Sequence, residues 1–156
     1  MLRADIPGFG ALELTHLVLD LNGTLTVDGE LVPGVAARLE ALGRRLSIHL
    51  VSADTRGDAA RLAAGLGLAL EPLPATGQAE AKAGLVRALG PRGCVAVGNG
   101  RVDAPMLALA RLGIAVILAE GAAGAALLAA DAVCTDIRDA LDLLLVPERL
   151  TATLRS

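Results

Sequence analysis

Six polar side chains of this sequence, drawn from four separate stretches, could cooperate in chemistry: Asp20, Asn22, Ser52, Lys82, Asn99 and Asp103. Asp20 closes the apolar run LVLD and is followed at once by LNGTLTVDGE. A carboxylate there is a turn-starting strand end, a metal ligand or a nucleophile. As a nucleophile it could attack phosphorus and divide one difficult displacement into two easier ones. Such a site needs positive charge, and Mg²⁺ suits a few carboxylates completed by water and phosphate oxygens. Gly23 and Thr24 offer backbone N–H groups for phosphate oxygens. Lys82 is the only lysine in a chain with 14 basic residues. It is either a solvated helix residue or a compact point charge that arginine cannot replace beside a phosphate or carboxylate. Gly98-Asn99-Gly100 follows another apolar run. It is a poor dinucleotide fingerprint, because the third glycine position is Asp103, but it brings a second carboxylate near the same edge.

The elements that must position these residues alternate between apolar runs and helix-period segments. Strands are expected at residues 16–21, 47–52, 69–73, 94–97, 114–118 and 132–135. Their continuous apolar character predicts burial on both faces, as in a parallel sheet. Helices are expected from Pro33 onward, where proline suits a first turn, and at 55–66, 78–89, 104–112, 122–129 and 137–145. This alternation predicts an α/β, doubly wound, three-layer sandwich. Residues 24–32 read as a small β-hairpin turning at Asp28-Gly29. The final residues, 150–156, are expected to fray. Ligands of such sheets bind beyond the carboxyl ends of the strands, where Asp20, Ser52, Asp54, Asn99 and Asp103 fall.

Composition narrows the function. The chain has 156 residues, 54% of them hydrophobic, which predicts one globular domain over residues 1–156. Aromatic residues make up 1%, a single Phe9, so no base-stacking platform can be built. With a net charge of −3 and no basic run, nucleic acid is not an expected partner. Cys94 and Cys134 read as buried free thiols, which fits a reducing, cytoplasmic setting. No secretory leader is read at the start. The apolar window 112–130 has the length of a membrane span, but Glu120-Gly121 interrupts it, so a strand, a turn and a helix are expected and no membrane partner. His16 and His49 read as core or strand-end residues.

The ordered motifs resemble those of the haloacid dehalogenase superfamily, and most of all the phosphorylation domain of P-type ATPases. DLNGTLT, starting at Asp20, is similar to DKTGTLT; SADTRGDA, from Ser52, is similar to TGDNKGTA. AEAKAGLVRAL places Lys82, and GNGRVDAPML, from Gly98, is similar to GDGINDAPAL. The resemblance runs from Thr15 to the closing LAADAVCTDIRDALDLLL. It implies a Rossmann-like core with Asp20 as phosphoacceptor, Ser52 and Ala53 at the phosphoryl group, and Lys82 holding nucleophile and phosphate. It further implies Mg²⁺ bound by Asp20, the carbonyl of Asn22, Asn99 and Asp103. The intervals from Asp20 to Ser52 and on to Lys82 leave no room for a cap or an inserted nucleotide-binding domain.

Two positions depart from the pattern. Family phosphatases carry a general acid–base Asp where this chain has Asn22, and an amide moves no proton at neutral pH. P-type ATPases also lack that acid. Asn99 replaces a metal-site Asp and removes one formal charge, which implies weaker metal binding. Three readings follow: a slow Mg²⁺-dependent phosphatase acting on a small-molecule or protein phosphoester, a phosphate- or metal-binding regulatory protein, and a phospho-switch. A homo-oligomer could supply the missing lid.

Overall fold

The computed structural model describes residues 1–53 and 57–156. Six strands form one parallel sheet: β3 (His16–Asp20), β6 (Ser47–Ser52), β7 (Leu70–Pro72), β8 (Cys94–Gly98), β9 (Leu112–Val116) and β10 (Ala132–Cys134). Their order is β10-β9-β8-β3-β6-β7. The chain runs outward from β3 to β6 and β7, returns to the other side of β3 as β8, and continues to β9 and β10. The strand order therefore reverses between β3 and β8, the place where open α/β sheets form a crevice.

Leu17, Val18 and Leu19 of β3 and Val95, Ala96 and Val97 of β8 are all fully buried, as expected of strands covered on both faces. On one face lie α1 (Val35–Gly43), α2 (Asp58–Gly65) and α6 (Ile137–Leu145), closing a core that includes Leu17, Leu19, Leu39, Leu141 and Leu144. On the other lie α3 (Gln78–Leu89), α4 (Ala104–Leu109) and α5 (Gly124–Ala129), around Val18, Val86, Ala96, Met106 and Ala126. The three-layer α/β architecture is as the alternation predicted.

The boundaries differ in informative ways. The fifth predicted strand begins two residues earlier, at Leu112, because the backbone of Gly113 runs against the Leu107 carbonyl, where a Cβ would come within 2.5 Å. The preceding helix correspondingly stops at Leu109. The predicted helix 55–66 is seen as Asp58–Gly65; its first two residues, with Asp54, lie outside the described ones. The 24–32 hairpin is present as β4 (Thr26–Val27) and β5 (Glu30–Leu31). Asp28 and Gly29 both have positive φ, at 52° and 83°, which the tight turn demands.

Two elements were not anticipated. Residues 1–14 form an antiparallel hairpin, β1 (Leu2–Ile6) with β2 (Gly10–Leu14), that buries Leu2, Ile6, Leu12 and Leu14. The expected fraying of 150–156 is corrected: α7 (Pro147–Leu154) packs on β1, Leu150 is fully buried, and Ser156 donates its N–H to the Pro7 carbonyl. Proline at the first helical position explains the local start, and the hairpin supplies the apolar surface. Among the described residues no helix is long and apolar enough to cross a membrane. The 112–130 window is β9, a turn at Glu120-Gly121 and α5.

Candidate active site

The site begins with the way β3 ends. After Asp20 the Leu21 carbonyl accepts the N–H groups of Thr24, Leu25 and Thr26, so the chain coils into a tight turn. Gly23 adopts φ +75° within it, and a Cβ there would meet the Asn99 amide at 2.5 Å. Only glycine combines that conformation with that approach. The turn aims Asp20 into the crevice between β3 and β8, where it is 8% exposed.

Lys82 reaches the same point from α3. Its Nζ donates to Asp20 Oδ1 at 2.7 Å and to Asp103 Oδ1 at 2.6 Å, and the residue is 3% exposed. Asp103 is fully buried, and its other oxygen accepts the backbone N–H groups of Asn99 (3.0 Å) and Gly100 (2.8 Å). A Cβ on Gly98 would lie 2.6 Å from the Asp103 carboxyl carbon, so glycine there lets the loop close over that carboxylate. The Thr24 hydroxyl lies 3.0 Å from Asp20 Oδ2 and 3.2 Å from Asn99 Oδ1. It has one proton to share between the two acceptors.

Two carboxylates thus surround one ammonium. Burial raises the Asp20 pKa from 3.8 to about 6, and Asp103 adds to the rise; Lys82 and the Thr24 hydroxyl only partly offset it. Burial alone would pull Lys82 down, but Asp20 and Asp103 outweigh it and hold its pKa above the ordinary lysine value. At neutral pH Asp20 is ionised, poorly solvated and held by the hydrogen bonds of Lys82 and Thr24.

The structure brings Asp20, Gly23, Thr24, Lys82, Asn99 and Asp103 together. Ser52 ends β6, the strand beside β3, is buried, and is followed by partly buried Ala53. Asn22 is exposed on the rim, beside a cleft of about 340 Å³ lined also by Thr26, Asp28, Asp58 and Leu62. The N–H groups of Gly23 and Thr24 donate to the Thr26 and Leu21 carbonyls, so a phosphate would have to exchange those bonds to use them. Sequence reasoning missed a bracket behind the site. Asn99 Nδ2 donates to the Gly121 carbonyl at 3.0 Å, and the Asp28 N–H donates to Glu120 at 3.2 Å. The signal was the Glu120-Gly121 break in an apolar window.

The donors available to a divalent cation are the Asp20 and Asp103 carboxylates, the Asn99 amide oxygen and the Asn22 carbonyl. Among the described residues no group of three or more His, Cys, Asp or Glu side chains is arranged to hold a metal. Mg²⁺ needs no such group, since it binds through one or two carboxylates, water and phosphate oxygens. The donor chemistry fits that kind of cation.

The fold and this arrangement of motifs place the chain in the haloacid dehalogenase superfamily. Within it, two kinds of solved structure are similar. The cobalt-bound deoxy-D-mannose-octulosonate 8-phosphate phosphatase of Haemophilus influenzae superposes with a TM-score of 0.73 at 19% identity, covering 92% of this chain and 94% of that one. The Moraxella catarrhalis phosphatase, in complex with magnesium, phosphate and its octulosonate, gives 0.69 at 18% identity over 92% and 94%. A zinc-transporting PIB-type ATPase in its E2.Pi state gives 0.61 at 28% identity, over 80% of this chain and 20% of that one. By sequence, the uncharacterized protein MJ0073 of Methanocaldococcus jannaschii is 52% identical over 61 residues, which span 39% of this chain and 66% of that protein. Its MJ0072 is 49% identical over 39 residues, 25% of this chain and 89% of that protein. No family model matches.

Proposed function

We propose that this chain is a slow, Mg²⁺-assisted phosphohydrolase that works through an aspartyl-phosphate on Asp20. The observation that carries this reading is the Lys82 ammonium within 2.7 Å of Asp20 and 2.6 Å of Asp103, at the point where the strand order reverses. A buried, ionised carboxylate oriented from both sides is a nucleophile prepared for a phosphorus centre. Asp20, the Asn22 carbonyl, Asn99 and Asp103 would hold the cation. A cation bound there would supply positive charge to offset that of the phosphate oxygens.

The chain's own groups account for the rest. An Asp20 oxygen bonds to phosphorus as the bond from phosphorus to the leaving oxygen breaks, and that oxygen takes its proton from solvent. Lys82 and Ser52 steady the phosphoryl oxygens. A water then attacks phosphorus, the bond to Asp20 breaks, and the carboxylate returns with release of inorganic phosphate. Asn22 can orient the leaving oxygen or the water but moves no proton, which makes both steps slow. The shape of the rim suits a phosphoester presented from outside, on a small molecule or a protein.

A second reading has a specific observation behind it. The amide of Asn99 is tied to Thr24 and Gly121, which suits a site built for holding phosphate or metal more than for turnover. Release of phosphate from a generic aryl phosphate, with Mg²⁺ and with chelator, decides between them. Turnover should require Mg²⁺ and fall by about three orders of magnitude or more in Asp20→Asn. Full activity in that variant would exclude the aspartyl-phosphate, and phosphate binding without turnover in the native protein would establish the second reading.

A further inference from the structure

The chain contains two histidines, and the fold puts their rings in contact, with His16 at the end of β3 opposite Asp20. His16 opens β3, and His49 lies on the neighbouring strand β6, two residues beyond its register partner Ser47. His16 Nδ1 is 3.2 Å from His49 Nε2, and the other nitrogen of His49, Nδ1, is 3.2 Å from Glu71 on the edge strand β7. Three side chains from three adjacent strands therefore form one line across the face that carries α3.

We propose that His16 Nδ1 and His49 Nε2 chelate an imidazole-preferring divalent cation, zinc above all, with Glu71 orienting His49 from behind.

The protonation states support it. Glu71 can only accept, so His49 Nδ1 carries the proton in that contact and His49 Nε2 keeps a bare lone pair. Without a cation that lone pair accepts the His16 Nδ1 proton. A cation would take the place of that proton, which moves to His16 Nε2 through solvent and leaves the His16 Nδ1 lone pair as the second ligand. Burial, and then His49, lower the His16 pKa, which favours the neutral ring that metals require. The spacing is also suitable. Two nitrogens bound to zinc at about 2.0–2.1 Å with a tetrahedral angle lie roughly 3.3 Å apart. A carboxylate on the remote nitrogen is the usual outer partner of a zinc-bound histidine.

The site has two protein ligands. Cys94 pairs with His16 in register, but its thiol donates to the Gly90 carbonyl at 3.3 Å and contributes nothing. Among the described residues no third His, Cys, Asp or Glu completes the set, so the other positions belong to water or a small ligand. Both rings are partly exposed, which leaves the position open to ions. Bound there, a cation would fasten β3 to β6, with edge strand β7 held through Glu71.

The proposal is independent of the phosphohydrolase reading, and the test separates them because the active-site residues include no imidazole. The full chain is titrated with Zn²⁺ by calorimetry in an Asp20→Asn background, and loaded with Cu²⁺ for electron paramagnetic resonance. One equivalent of zinc should bind. Cu²⁺ should show coupling to two imidazole nitrogens. Both should be lost in His16→Ala and in His49→Gln, and Glu71→Gln should weaken zinc about ten- to a hundredfold. Long-range ¹H–¹⁵N spectra of the native protein, in which both imidazoles should shift on adding Zn²⁺, give the same answer without any substitution. Zinc binding unchanged by the histidine variants, an all-oxygen Cu²⁺ signal, or imidazoles that ignore Zn²⁺ would each overturn the proposal.

Discussion

The two ends of β3 carry two polar clusters built on opposite energetic terms. At the carboxyl end, Asp20, Lys82 and Asp103 are nearly or fully buried and hold a net negative charge that burial penalises. In the second cluster, His16 at the start of β3 and its neighbours His49 and Glu71 on β6 and β7 are partly exposed. Desolvating a charge costs far more than placing a neutral ring at a wet sheet edge. The first cluster is tolerated because its hydrogen bonds are complete, while the second needs little support. The same strand thus carries a site kept at a cost in stability and a site that is nearly free of one.

That contrast would break first at Lys82. Replacing it with Met leaves two buried carboxylates facing each other without a cation. Removing one partner from a buried pair typically costs about 3–5 kcal/mol. Lys82→Met should lose that much in denaturant titrations at pH 7, together with all turnover. A loss below about 1 kcal/mol would mean that the cluster is better solvated than its exposure implies. Lys82→Arg should keep the fold and lose most activity, since a planar fork cannot make two short contacts from a single atom.

Next in size is Asn22, on the exposed rim of the same end. Acid–base help is worth about a hundred- to ten-thousandfold in rate. Asn22→Asp should accelerate turnover toward the lower part of that range at saturating Mg²⁺, and less when Mg²⁺ is scarce, because the new carboxylate repels Asp20. Burst and steady-state kinetics would show the gain in hydrolysis of the phosphoenzyme. No gain in a folded, metal-binding variant would favour the binding-protein reading.

Much of this site was legible because strand ends and glycine turns are local. The continuous apolar runs gave β3, β6 and β8, and Asp20, Lys82, Asn99 and Asp103 fell where those runs stop or a helix passes. The role of Asn99 was not legible, since its tie to Gly121 depends on where a turn beyond β9 comes to rest. The contact of His16 with His49 was hidden for a similar reason: it depends on the register of β3 against β6. The N-terminal hairpin carries the alternation of a half-buried ribbon around Pro7-Gly8, yet part of its cover comes from α7, which folds back on β1. That distant pairing is also why residues 150–156 looked free to fray.

A smaller effect follows from the sign of the Asp20 shift. Folding raises its pKa from 3.8 to about 6, so between those values the folded protein holds the proton more tightly than the unfolded chain. Stability from this residue is therefore greatest at low pH and is lost as pH rises through about 6. At neutral pH the ionised form costs roughly 3 kcal/mol. Asp20→Asn, neutral at every pH and similar in shape, should be more stable than the native protein by up to that amount at pH 7 in chelator. The advantage should shrink toward pH 4. An advantage that grows on acidification would reverse the assignment of burial as the dominant cause.

The smallest expected effect lies at the histidine end, and it tests the comparison most directly. Without metal, Glu71→Gln removes a contact between a partly exposed carboxylate and a partly exposed ring. The glutamine amide oxygen can still accept the His49 N–H, and water can reach both groups. Exposed or half-exposed polar pairs are worth about 0–1 kcal/mol, so the unfolding midpoint in chelator should barely move. The change should also be insensitive to whether Lys82 is intact, because Glu71 is level with Asp20 but two strands away, roughly 10 Å across the sheet, and such sites add nearly independently. A loss of several kcal/mol, or strong coupling to Lys82→Met in a double-mutant cycle, would show that β3 transmits strain between its ends. The two clusters would then be parts of one site.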